Sequence, residues 1–183
     1  FATSDGFWRF KADRGQIDSD LVKMLVAYED KRFFEHSGVD PYALGRAFLQ
    51  FVRHGEIVSG GSTITMQVAR NFFLSREKTY NRKLYEILLS LKIEQNLSKD
   101  QILELYMNQI YLGQRTHGFA SAARTYFKKR LPELNLAEAA MLAGIPQNPA
   151  KHNPAVNPVR AKARQELVLK RMLHLSRITQ AQF

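Results

Sequence analysis

Between Gly60 and Glu86 the residue types could hold an anion. The run opens Gly60-Gly61-Ser62-Thr63-Ile64-Thr65-Met66-Gln67, passes Arg70 and Asn71, and closes on Arg82-Lys83-Leu84-Tyr85-Glu86. Two glycines let backbone approach a ligand closely. Ser62, Thr63, Thr65 and Gln67 supply neutral hydrogen-bonding groups. Arg70, Lys78, Arg82 and Lys83 add fixed positive charge, and donors beside cations suit phosphate or pyrophosphate. The phosphate-loop ending Gly-Lys-Ser/Thr is missing, which argues against a nucleotide hydrolase. Composition alone fits a loop followed by a solvated basic helix equally well.

A second chemical candidate lies upstream, in Glu29-Asp30-Lys31-Arg32-Phe33-Phe34-Glu35-His36. A carboxylate ending an apolar helix, with two phenylalanines after it, is open to desolvation. That would raise its pKa towards what a general base needs at neutral pH. Alternatively, Glu29 is a surface acid paired with Lys31 or Arg32. Arg82 and Glu86 are four apart and Lys83 and Glu86 three apart, so all three share a helix face. Read simply, that is an intrahelical salt bridge.

These residues need a helical frame. At 183 residues, with 45% hydrophobic and 24% charged residues, the chain suits one globular domain with a substantial core. A net charge of +10 implies an anionic partner: nucleic acid, anionic lipid or a phosphorylated substrate. No cysteine means no disulfide framework and no thiolate metal site. No apolar run of spanning length occurs, and no signal peptide. Beginning at Phe1 without a methionine, the chain reads as an excised piece of a longer one.

Asp20 is expected to cap a helix with Leu21, Met24, Leu25 and Tyr28 on one face. From Tyr42 to Val58, Leu44, Phe48, Leu49, Phe51 and Val52 stand beside Arg46, Arg53 and His54. Helical spacing makes core packing the default there, but aromatics mixed with cations also fit a membrane interface. Tyr80 to Gln95 is helical by period. Ser98 with Gln101 opens a helix through Tyr111 that Gly113 ends, and Asn135 with Glu138 opens an Ala-rich helix stopped by Gly144 and Pro146. Gly118–Lys129 and Val159–Leu175 are further helices, separated by an irregular, proline-marked connection. The class is mainly α.

Other motifs carry little. Ser75-Arg76-Glu77-Lys78 has the Ser-x-x-Lys spacing of acyl-enzyme nucleophiles, but no Ser-x-Asn or Lys-Thr-Gly accompanies it. The five histidines show no metal-ligand spacing.

Five ordered segments together resemble the peptidoglycan glycosyltransferases of family 51, most closely that domain of bifunctional class A penicillin-binding proteins. They are Glu29-Asp30 through Phe33, His36, Gly38 and Asp40; Gly60 to Gln67; Arg82-Lys83 with Glu86; Ile102-Leu103-Glu104-Leu105-Tyr106-Met107-Asn108; and Arg164 through Val168-Leu169 to Arg171-Met172. The resemblance implies a lysozyme-like helical fold with a smaller membrane-proximal subdomain, over residues 20–183, after an extended leading segment at 1–19. It implies polymerisation of lipid II into glycan strands at the outer, periplasmic face of the bacterial cytoplasmic membrane. Glu29 aligns with the base that deprotonates the acceptor 4-hydroxyl, and Glu86 with a second acid near the donor diphosphate. Ser62, Gln67, Arg70, Lys78, Arg82 and Lys83 fall where diphosphate and sugar are held, and Arg32 lies beside the base. No cofactor is required, though a divalent metal, Mg or Mn, is admitted at Glu86. The implied partners are lipid II, the growing glycan strand, the membrane surface and a transpeptidase domain in the parent chain, with no nucleic acid.

The sequence departs from the family's pattern in places. Met66 stands where many members have glutamine, Arg70 replaces a common lysine, and Tyr106-Met107-Asn108 replaces Tyr-Leu-Asn. Two rivals remain. A lysozyme-like hydrolase would pair a protonated acid with a second carboxylate and needs no diphosphate clamp. A basic nucleic-acid-binding module explains the charge but not Glu29 and Glu86.

Overall fold

The computed structural model describes residues 8–9, 19–54, 61–74 and 79–183. It is mainly α, as the periodicity leads one to expect. Its elements divide into two compact units, Phe1–Lys31 with Met107–Phe183, and Arg32–Tyr106.

In the first unit, α1 (Ser19–Glu29) packs on α7 (Leu136–Gly144) and α8 (Pro158–His174). Leu21, Met24 and Leu25 are fully buried, the i, i+3, i+4 stripe that binary patterning demands. Full burial of such side chains stabilises by about 1.5–3 kcal/mol each. Asp20 is not the cap expected of it. The helix begins at Ser19, and Asp20 sits in its first turn with Lys23 Nζ 2.9 Å away. The alanines of α7 allow α8 to come close. A Cβ at Gly144 would stand 2.8 Å from Arg164 Cγ. The Asn135–Glu138 capping box opens α7 as expected. A small parallel pairing joins β1 (Trp8–Arg9) to β2 (Thr116–His117), which leads into α6 (Phe119–Phe127).

The second unit holds α2 (Pro41–His54), α3 (Ile64–Phe73) and α4 (Tyr80–Asn96), and α5 (Lys99–Gln109) starts in it. Helix α5 opens with the expected Ser98–Gln101 box but stops at Gln109, short of Tyr111, which instead bridges His117. Thr63 caps α3, accepting from Met66 N at 3.1 Å and donating to Gly38 O at 2.6 Å. Residues Ile64 to Ala69 are all buried, which accommodates an apolar thioether at Met66. Gly61 serves packing: a Cβ there would lie 3.0 Å from Leu44 Cδ2.

Two helices of this unit turn large apolar side chains outward, which in α2 departs from the core-packing default. In α2, Tyr42, Phe48, Leu49 and Val52 are each more than half exposed. Helix α4, which packs on α3, buries Glu86 and Ser90 completely while Leu84, Tyr85, Leu88 and Leu91 face outward.

Candidate functional site

The head of α4 gathers a charged cluster in the second unit. Thr79 caps it, accepting from Arg82 N at 3.2 Å, and places Arg82 and Lys83 in the first turns. Backbone N–H groups there point at incoming ligands and favour negative charge. Lys83 Nζ donates to Ser62 Oγ at 2.6 Å and to Glu86 Oε2 at 2.9 Å. Arg82 Nε lies 3.2 Å from Glu86 Oε1. The Glu86 side chain is 1% exposed, so this is a buried carboxylate between two cations rather than a solvated helix pair. Only loss of both cations would leave this buried charge uncompensated, a situation that costs about 3–5 kcal/mol.

Around this cluster the other candidates are placed unequally. Gln67 is buried at 6% exposure, and Arg70 sits half-buried in the last turn of α3. Lys78 and Gly60 lie outside the described residues. Arg32 turns to Asp40, with Nε 3.1 Å from Oδ2 and Nη2 on Oδ1, while its guanidinium stacks 4.3 Å from the Tyr42 ring centroid. Burial raises the Asp40 carboxyl, but the Ala43 amide and the Arg32 fork outweigh it and hold its pKa below the ordinary range. Behind these, Glu94 Oε1 accepts from Thr65 Oγ1 at 2.6 Å and from Lys99 Nζ at 2.7 Å. Lys99 also lies 4.5 Å over the Phe33 ring. That network anchors α3 and α4 around the site.

Glu29 belongs to the first unit, at the last turn of α1. Its neighbour Tyr28 is covered by Arg164, whose Cζ stands 4.3 Å from the ring centroid. Burial raises the Tyr28 pKa, with the Glu29 charge adding to it and Arg164 and Arg171 opposing. Burial draws Arg164 below the ordinary guanidinium value, against the pull of Tyr28 and Glu29. Arg164 Nε and Nη2 are buried without a hydrogen-bond acceptor. An unmet buried donor costs roughly 1–3 kcal/mol or more when charged. The only sequence signal for Arg164 was its place in the fifth motif. For Tyr28 it was an apolar helix position, and neither signal discloses their contact.

A divalent metal does not fit Glu86 in this arrangement. Both its oxygens face cationic nitrogens, and no group of three or more His, Asp or Glu side chains suited to a metal occurs among the described residues. The positive charge beside Glu86 is that of Arg82 and Lys83.

A helical protein with a buried carboxylate held between two cations is what fold and site define. The family model described as Transglycosylase matches residues 3–173. A protein of Cupriavidus necator that carries the name transglycosylase is 57% identical over 169 residues, covering 92% of this chain and 73% of the relative. Penicillin-binding protein 1A of Neisseria gonorrhoeae is 57% identical over 165 residues, 90% of this chain, which spans 21% of that relative's length. The crystal structure of penicillin-binding protein 1A from Haemophilus influenzae aligns with a TM-score of 0.56 at 25% identity. That alignment covers 96% of this chain and 17% of the other. The chain belongs to the transglycosylase family and is a peptidoglycan glycosyltransferase, a hexosyl-transferring enzyme.

Proposed function

We propose that the enzyme polymerises lipid II into β-1,4-linked glycan strands with inversion, releasing undecaprenyl diphosphate. The buried Glu86 flanked by Arg82 and Lys83, with Lys83 reaching Ser62, is the observation that carries this reading. The donor's leaving group is already activated, so its departure calls for cations more than for a proton donor. As the bond from the anomeric carbon to the diphosphate breaks, its electron pair leaves with the diphosphate oxygen. Lys83 and Arg82 then exchange part of their hold on Glu86 for that oxygen. Ser62 and Gln67 orient the sugar, and Arg70 and Lys78 add charge along the diphosphate. The acceptor alcohol is a poor nucleophile, and Glu29 takes its 4-hydroxyl proton as the new C–O bond forms. Arg32, fixed by Asp40, adds a further cation to the second unit.

Work at the outer face of the cytoplasmic membrane is supported by the apolar faces of α2 and α4. Tyr42, Phe48, Leu49, Val52, Leu84, Leu88 and Leu91 present an apolar surface that an interface would cover. None of the described helices is long and apolar enough to cross a membrane. The name of the Neisseria relatives supports a penicillin-reactive transpeptidase domain elsewhere in the parent chain. Incubation with labelled lipid II, followed by sizing of the products, tests the proposal. Long strands sensitive to lysozyme are expected, whereas unchanged lipid II or release of free disaccharide contradicts it.

A further inference from the structure

The structure assigns a second anion site, within the first unit, to the pocket that Lys151, His152, Arg160 and Arg164 line between the N-terminal half of α8 and the loop before it. Its ligand is a phosphate-type oxyanion. The cavity measures about 340 Å³, enough for such a group with its hydration, and Ala163 and Leu167 complete its wall. No carboxylate is among the described lining residues, so the positive charge is not neutralised from within.

Three features beyond charge indicate a ligand. Arg164 Nε and Nη2 are buried and have no acceptor, although a guanidinium is a five-donor fork built for oxyanions. His152 Nδ1 is likewise buried and without a partner. Burial, Arg164 and Lys151 depress its pKa, while the ring is held by the Gly144 carbonyl. An oxyanion would receive hydrogen bonds from the guanidinium and reverse the electrostatic pressure on the imidazole. Finally, Gly144 fixes the approach: its missing side chain admits Arg164 Cγ, so the fork is placed by packing. Arg160 lies in the first turn of α8, where the helix dipole adds to the field.

Arg164 also lies within the field of Glu29, and the rest of the lining is separate from the catalytic assignments above. It involves none of Ser62, Lys83 or Glu86. The oxyanion could be free phosphate or the phosphate of a lipid, and the two are separable. We would titrate the protein, and the Arg160→Ala/Arg164→Met variant, with inorganic phosphate and with monomeric dihexanoyl phosphatidylglycerol. The His152 side-chain nitrogen resonances would be followed by NMR. Both probes, or one of them, should move the His152 resonances in the parent protein, and the double substitution should weaken that binding at least tenfold. Response to phosphate alone assigns a free anion; response to the lipid probe assigns a lipid-borne one. Should the double variant fail to fold, Lys151→Ala with His152→Gln, read by calorimetry, replaces it with the same expected weakening. Unmoved His152 resonances with both probes, or equal affinity in parent and variants, would overturn the site.

Discussion

Lys83 Nζ stands 2.6 Å from Ser62 Oγ while holding Glu86 Oε2 at 2.9 Å, so one ammonium ties the start of α4 to the residue before the α3 cap. Arg82 Nε, by contrast, lies 3.2 Å from Glu86 Oε1, on the same helix. Lys83→Ala should therefore impair donor use more than Arg82→Ala. A hydrogen bond to a charged group is worth roughly 1.5–3 kcal/mol, or about ten- to 150-fold in donor kcat/KM. Steady-state kinetics at varied lipid II would settle it. Equal and small effects would reduce the cluster to a buried ion pair without a catalytic part.

Glycines in the second unit should respond in opposite directions. Gly38 has φ +93°, and a Cβ there would sit 2.6 Å from Ser90 O, a backbone atom that cannot swing away. Gly38→Ala should destabilise by about 2–4 kcal/mol. Gly45 lies inside α2 with nothing within 4 Å of an added Cβ, so Gly45→Ala should stabilise by about 0.5–1 kcal/mol. Thermal unfolding of both variants is the check, and a neutral Gly38→Ala would contradict the close approach.

Acid should cost stability through His152. Its folded pKa is depressed below 6.5, by burial first and then by Arg164 and Lys151, against a raising hydrogen bond to Gly144. Below about pH 6.5 the unfolded chain therefore binds the extra proton. The stabilising contribution is present above that pH and is lost as pH falls towards the folded value. Between pH 7.5 and 5 the parent's Tm should fall further than that of His152→Gln. Parallel curves would mean that the imidazole is not held neutral.

Much of this frame was legible in the sequence. Leu21, Met24 and Leu25 share the buried stripe that their spacing prescribes, and both capping boxes form. Local signals of that kind are self-contained. What covers a helix face is not. Leucines spaced along Tyr80–Gln95 read as helix, yet the packed side of α4 is the polar one, with Glu86 and Ser90. In the site, the grouping of Arg82, Lys83 and Glu86 follows from helix geometry, and Lys83 on Ser62 requires the tertiary fold. The Arg164 contact with Tyr28 joins α8 to α1, and the unpartnered His152 nitrogen belongs to an irregular loop. Periodicity carries neither.

The exposed face of α2 yields a binding prediction. Phosphatidylglycerol vesicles should bind the protein, and Phe48→Ser with Leu49→Ser should weaken binding several-fold with the fold unchanged, by loss of buried apolar area. Salt should reduce the electrostatic share, since exposed charges are screened over about 8–10 Å. Co-sedimentation at low and high salt distinguishes the two contributions. A double variant that sediments like the parent would remove α2 from the interface.

Glu29 is proposed above as the proton acceptor for the sugar hydroxyl. Turnover of labelled lipid II by Glu29→Gln, with circular dichroism confirming the fold, tests it most directly. An amide cannot take the proton, and loss of a general base costs about 10²- to 10⁴-fold in rate. A folded variant whose polymerisation falls by that factor or more is expected. A folded Glu29→Gln protein that elongates strands at near-parental rate would contradict it.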